Sequence, residues 1–217
     1  MIQVADLFVA IRNGELSRVA AIVDGDPTLA AARKDGASAI LFARYCNRHD
    51  VVMLLRRRLP ELDVFEACAL GETERLAELL DANPALVDAV AEDGFGPLGL
   101  ASFFDHEPAV RLLLARGARV DQASANGMRV MPLHSAAAAH SVTIARLLLE
   151  RGAPVNARQG ESGGFTPLME AALNGQLDLI DLLLAFGADP ALRDGGGRSA
   201  GDYARARGHD EAAARLG

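Results

Sequence analysis

The chain has 217 residues, 50% apolar and 24% charged, which is ordinary for a folded soluble protein and enough for one large domain, two small ones or an elongated array. A net charge of −7 favours solubility and argues against a general electrostatic grip on nucleic acid. With eight Phe, two Tyr and no Trp, the apolar content falls to Ala, Leu and Val, which suits closely spaced helices.

At the N-terminus, MIQVADLFVAIRNGE carries Asp6 and no basic start before a long apolar run, so it does not read as a secretory signal. No stretch reaches the roughly 18 apolar residues of a membrane helix. Cys46 and Cys68 have no metal or redox spacing and fit a reducing compartment as small apolar groups, so a cytoplasmic protein is expected. The Ala/Arg-rich, acidic composition suggests a bacterial source. Arg56-Arg57-Arg58 follows VVMLL and reads as the solvated end of an amphipathic helix before a phosphate site.

Self-similarity organises the rest. LLLARGARVD, LLLERGAPVN and LLLAFGADPA start at Leu112, Leu147 and Leu182, 35 residues apart each time. Upstream, residues 6–29 and 63–86 share ten identities in 24 positions at an offset of 57, among them Asp6/Asp63, Gly14/Gly71 and Pro27/Pro84. Each unit reads as two short helices. In FTPLMEAALNG, Thr166 is the cap, Pro167 opens the first helix and Gly175 stops it; QLDLIDLLLAFGA then places Leu177, Ile180, Leu183 and Leu184 at helical spacing. Helices this short are marginal alone in water, so the units must stack.

These stretches, with PLHSAAAAHSVTIARLLLERGAPVN at 132–156, resemble ankyrin repeats over nearly the whole chain. The resemblance implies an all-α helix-turn-helix solenoid with short hairpin tips. Its first-helix alanine falls at Ala10, Ala43, Ala67, Ala101, Ala136, Ala171 and Ala204, giving about seven stacked units in a single domain, 1–217. The expected units are 1–34, 35–61, 62–92, 93–125, 126–160, 161–193 and 194–217, the last a polar C-terminal cap. The family's Thr-Pro-Leu-His turn varies here, as Gly96-Pro97-Leu98-Gly99, Met131-Pro132-Leu133-His134 and Thr166-Pro167-Leu168-Met169, and decays to Ser38-Ala39-Ile40-Leu41 and Ser199-Ala200-Gly201-Asp202. Losing the Thr hydroxyl is expected to forfeit a cap worth about 1 kcal/mol per site. The 24-residue interval between Ala43 and Ala67 leaves no room for a hairpin, so a tight Pro60 turn and an interrupted row of tips are expected there. The longer tips NGMRVMPLH and RQGESGGFTPL are expected to protrude.

No catalytic, cofactor or metal site is expected. His134 is assigned to the family's turn, bonding backbone; His106 and His209 follow inter-helix turns, His140 replaces a turn glycine and His49 is expected at the surface. GESGG lacks phosphate-loop spacing, and no nucleophile or zinc motif occurs.

In the family's geometry the first helices and tips face an open concave groove. Its slots here hold Tyr45 and Cys46, Ala69 and Leu70, Phe103 and Phe104, Ala138 and Ala139, Leu173 and Asn174, with Phe95, Met128-Arg129-Val130 and Phe165 before the turns. Phe95, Phe103, Phe104, Met128, Arg129, Val130, Phe165 and Leu173 are therefore the candidate partner-binding residues, with Arg129, Arg158 and Glu161 as rim charges. For any one of these, folding back over neighbouring helices is the competing reading; the clustering across units four to six favours contact. The expected activity is non-covalent binding of a protein or peptide, with no nucleic acid and no membrane. The alternative is self-association of the same patch into a structural homodimer. A third class, a small-molecule sensor, would need a closed pocket around Tyr45, Cys46 and His49.

Overall fold

The computed structural model describes residues 4–160 and 164–217. Among these, fourteen α-helices follow one another in pairs: α1 (Val4–Asn13) with α2 (Leu16–Gly25), α3 (Ala39–Tyr45) with α4 (His49–Arg58), α5 (Val64–Leu70) with α6 (Thr73–Ala82), and α7 (Pro97–Phe103) with α8 (Glu107–Ala115). The rest are α9 (Pro132–Ala138) with α10 (Val142–Glu150), α11 (Pro167–Leu173) with α12 (Leu177–Ala185), and α13 (Ala200–Ala206) with α14 (Asp210–Leu216). Apart from α1, the first helices are seven residues long, too short to hold alone, and each packs on the first helix of the next pair along the whole row.

Alanine makes that close approach feasible. Ala10, Ala43, Ala67, Ala101, Ala136, Ala171 and Ala204, one per first helix, are all fully buried. The second helices supply Val, Ile and Leu from one stripe each, as in Ile144, Leu148 and Leu149 of α10. That second row is loosest between α4 and α6, where the Arg56 guanidinium reaches Glu72 through two hydrogen bonds of 2.5 and 2.9 Å.

The cap expectation holds at only some turns. Thr166, Ser38 and Ser199 all accept from the backbone N–H three residues on, at 3.2, 3.3 and 3.2 Å, so serine keeps the bond where the motif has decayed. Gly96 and Met131 offer no side-chain oxygen, and at Met131 the backbone N–H donates instead to His134 Nδ1 at 3.3 Å. Asp63 and Glu66 cap α5 reciprocally, Glu66 accepting from the Asp63 N–H at 3.0 Å.

Residues 59–63 join α4 to α5 without a hairpin, pinned by the buried Leu59 and Leu62 on either side of Pro60. The row of tips lacks a member at this junction, as expected, and the flanking tips close the gap between them. The first tip is a two-stranded hairpin, β1 (Arg33–Lys34) against β2 (Ala37–Ser38), turning through Asp35 and Gly36 at φ of 52° and 85°. It closes directly onto the tip at Glu92-Asp93, and Arg33 pairs with Asp63 across the short junction. Further along, the Ala125 N–H donates to Gly94 O at 2.8 Å and the Gly160 N–H to Met128 O at 2.7 Å, so the long tip at 124–131 is tied on both sides rather than standing free.

Candidate binding groove

Phe103 and Phe104 end α7 on different sides of it. Phe104 turns inward, with its ring centroid 5.7 Å from that of Tyr45 and the Arg44 guanidinium 4.4 Å from the ring. Arg44 is itself anchored, its Nε donating to Ala69 O at 3.0 Å. Phe103 stands edge-on to Phe104 at 5.1 Å and remains 43% exposed. The pair is thus one packed ring carrying one presented ring.

Tyr45 reaches this position from α3, past α5, because the residues α5 offers at the row are small: Ala67 and Ala69 are buried flush. The Tyr45 hydroxyl donates to Asp93 Oδ2 at 3.0 Å, and Asp93 Oδ1 accepts from the Phe95 N–H at 3.2 Å. Burial and the neighbouring Asp93 charge both push the Tyr45 phenol pKa upward, so it stays a neutral donor. Tyr45 and Phe95 rings lie 6.5 Å apart.

These rings form one wall of an apolar groove of about 370 Å³. Its floor is Leu100, Ser135 and Ala138; Phe95, Phe103, Met128 and Val130 rise around it; Gln159 and Glu170 close the α11 end. A second hollow of about 280 Å³ continues past Tyr45, Phe95 and Met128 toward Phe8, Phe42 and Arg12. Tyr45, Phe103 and Met128 are 37%, 43% and 52% exposed, so three of the large apolar side chains left in water border one trough.

Of the eight residues singled out by sequence, Phe95, Phe103, Met128 and Val130 line the groove and Phe104 backs it. Arg129 sits exposed at the tip with φ of 49°. Phe165 and Leu173 go elsewhere. Phe165 packs edge-on against Tyr203 at 4.7 Å, and Leu173 packs against the core beyond the lining. The cluster therefore spans the second to the sixth helix pair and not units four to six alone. Arg158 donates to Arg193 O at 2.6 Å; Glu161 lies outside the described residues. Neither Cys46 nor His49 lines the groove, although Tyr45 does. Besides the floor residues and Gln159, Tyr45 and Glu170 line the groove and were absent from the sequence-based set. The 24-residue interval was the available signal for Tyr45, since shortening that junction draws α3 toward the tip at Asp93.

Three of the five histidines make packing or backbone contacts between units, and His49 is exposed. His134 is buried, its Nδ1 accepting from Met131 and its Nε2 3.1 Å from both Ala157 O and Phe165 O; burial lowers its pKa. His106 Nε2 lies 3.1 Å from Ala69 O, its ring filling the space over Gly71, and His209 does the same over Gly175. His140, in the position of a turn glycine, takes φ of 61°. Among the described residues no helix is long and apolar enough to cross a membrane.

A family model described as ankyrin repeats (3 copies) matches residues 64–159 and 121–194, together more than half of the chain. No curated protein matches it. Ankyrin repeats in general mediate protein–protein interaction and are typically non-enzymatic. The paired helices, the buried alanine row and this match together identify the chain as a member of the ankyrin-repeat family.

Proposed function

We propose that the protein binds a protein partner through the groove between its first-helix row and its tips, with Tyr45, Phe95, Phe103, Met128 and Val130 as the contact residues. The observation that carries this reading is the border of the trough: three large apolar side chains left in water around one hollow, on a chain of net charge −7. Burying an exposed Phe-sized side chain is worth about 1.5–3 kcal/mol, so two or three suffice for roughly micromolar affinity. Arg129 stands beside Met128 at the rim, where a charge acts on orientation and association rate more than on affinity. Phe165 and Leu173 act through packing. The organisation that goes with this reading is one repeat domain of seven units, each helix pair one unit, and a reducing cytoplasmic setting in which Cys46 and Cys68 stay free thiols.

Affinity capture from the native host's lysate with the wild-type protein and with Phe103→Ser/Met128→Ser tests it. A protein retained by the wild type and lost by the still-folded variant is the expected result. Identical capture by both would move the contact surface elsewhere. Self-association is the competing use of the same groove, and sedimentation velocity over a concentration series separates the two.

A further inference from the structure

One charged side chain lines the main groove among the described residues. Glu170 lies on α11, the last of the four first helices that border it, while the other polar groups there are neutral: the Tyr45 phenol, the Gln159 amide, the Ser135 hydroxyl and the His134 imidazole, which is buried with both nitrogens engaged. Glu170 is half-buried. One of its oxygens, Oε1, accepts from Asn174 Nδ2 at 3.1 Å; among the described residues it forms no ion pair with Lys or Arg, and His140 is the basic group whose charge reaches it. A carboxylate at the end of an apolar hollow has lost water, and the Asn174 amide and the nearby His140 imidazole offset that loss only in part. Consistent with that, burial raises its pKa.

We propose that this groove takes a linear segment of the partner protein in which an apolar side chain seats among Phe95, Phe103 and Val130 while a Lys or Arg at a fixed spacing pairs with Glu170. The proposal rests on the protein-binding reading above and narrows it to a partner chemistry. Charge complementarity is its basis. A cation restores to Glu170 the compensation that desolvation removed, whereas a neutral occupant seals a carboxylate away unpaired and an acidic one adds repulsion. At longer range, the net charge of −7 draws in a basic segment in preference to an acidic one. The hollow of about 370 Å³ falls within the roughly 300–1,000 Å³ range of small-ligand pockets. It is the right size for side chains projecting from a segment and too small for the face of a folded domain. The adjoining hollow carries both signs, Arg12 and Lys34 against Asp35 and Asp93, and sets no preference of its own.

The test is selection from a displayed library of random linear peptides on four immobilised proteins: wild type, Glu170→Gln, Glu170→Lys and Phe103→Ser. Wild type is expected to enrich peptides with Lys or Arg at one fixed distance from an aromatic or aliphatic residue. Those peptides should bind Glu170→Gln at least about tenfold more weakly, as expected for truncating one partner of a desolvated charge pair. Glu170→Lys should enrich Asp or Glu at the same place; if it does not fold, the Glu170→Gln arm decides alone. Peptides that lose binding to Phe103→Ser but show no basic preference would leave the groove standing and overturn the cation. Peptides indifferent to Phe103→Ser, or no enrichment at all, would overturn both. If sedimentation shows the chain self-associating and the selected peptides dissociate it, the groove belongs to a second copy and the proposal fails.

Discussion

Gly36 stands against the backbone of Asp93 so closely that a β-carbon on it would lie 2.5 Å from the Asp93 nitrogen. The tips of the first and third helix-pair junctions touch directly at this point, because the second junction has none. Gly36 also holds φ of 85°, a region that costs a side chain energy even in open space. Gly36→Ala is therefore expected to destabilise the fold by about 1–3 kcal/mol. Gly127→Ala is the comparison, since that site has open space and no positive φ; it should change stability by less than about 0.5 kcal/mol. Urea unfolding of both variants measures the difference. Equal midpoints would mean the two tips do not pack.

The two adjacent phenylalanines should separate cleanly by mutation. Phe104→Ser removes the ring beneath Arg44 and beside Tyr45, and a loss of about 2–4 kcal/mol is expected. Phe103→Ser removes only an edge contact from a side chain already 43% exposed, and should cost less than about 1 kcal/mol. Thermal melts followed by circular dichroism distinguish the two. The reverse order would make Phe103 the packing ring and remove it from the binding surface.

The helix pairs were legible because stacking forces a period. An alanine must recur wherever first helices meet, and all seven so placed are buried. Pro60 and the shortness of residues 59–63 likewise announced a connection without a hairpin. Periodicity does not encode which way a ring turns at the end of a helix. Phe165 occupies the same pre-turn slot as Phe95, yet it leaves the groove because Tyr203 of the next pair offers it an edge contact that only the folded stack brings within reach. Phe104 is drawn inward by Arg44 and Tyr45, roughly sixty positions away in the chain. Glu170 escaped notice for a related reason: an acid within a short amphipathic helix looks solvated until the neighbouring tip at Gln159 and the floor at Ser135 and Ala138 enclose it.

At the junction where the second-helix row is loosest, Arg56 and Glu72 make a bidentate pair from side chains 35% and 34% exposed. A fork of two bonds is favourable geometry, but solvent still screens it. A double-mutant cycle with Arg56→Ala and Glu72→Ala is expected to give a coupling of about 0.5–1 kcal/mol at low salt, shrinking in molar salt. Zero coupling at both ionic strengths would mean that Leu59, Leu62 and the Arg33–Asp63 pair hold the junction without it.

His134 makes the last prediction. Its Nδ1 accepts the Met131 N–H, so the ring proton sits on Nε2 and donates to the carbonyls of Ala157 and Phe165. An imidazolium cannot accept from Met131, and burial disfavours its charge, so the folded-state pKa lies below the unfolded value of about 6.5. The unfolded chain then binds more protons in that window. Stability from this group is complete above about pH 6.5, falls as pH drops through that value, and levels off once the folded-state pKa is passed. His106 is shifted the same way by burial and adds its own slope, so the comparison must be differential. His134→Gln should be less stable than wild type at neutral pH, by about 1–3 kcal/mol for the hydrogen bonds disturbed. It should also lose less stability on acidification, so that the two urea-midpoint curves converge as pH falls. Parallel curves would show that His134 takes up its proton without disturbing the turn, and that the Met131–His134 bond does not hold it.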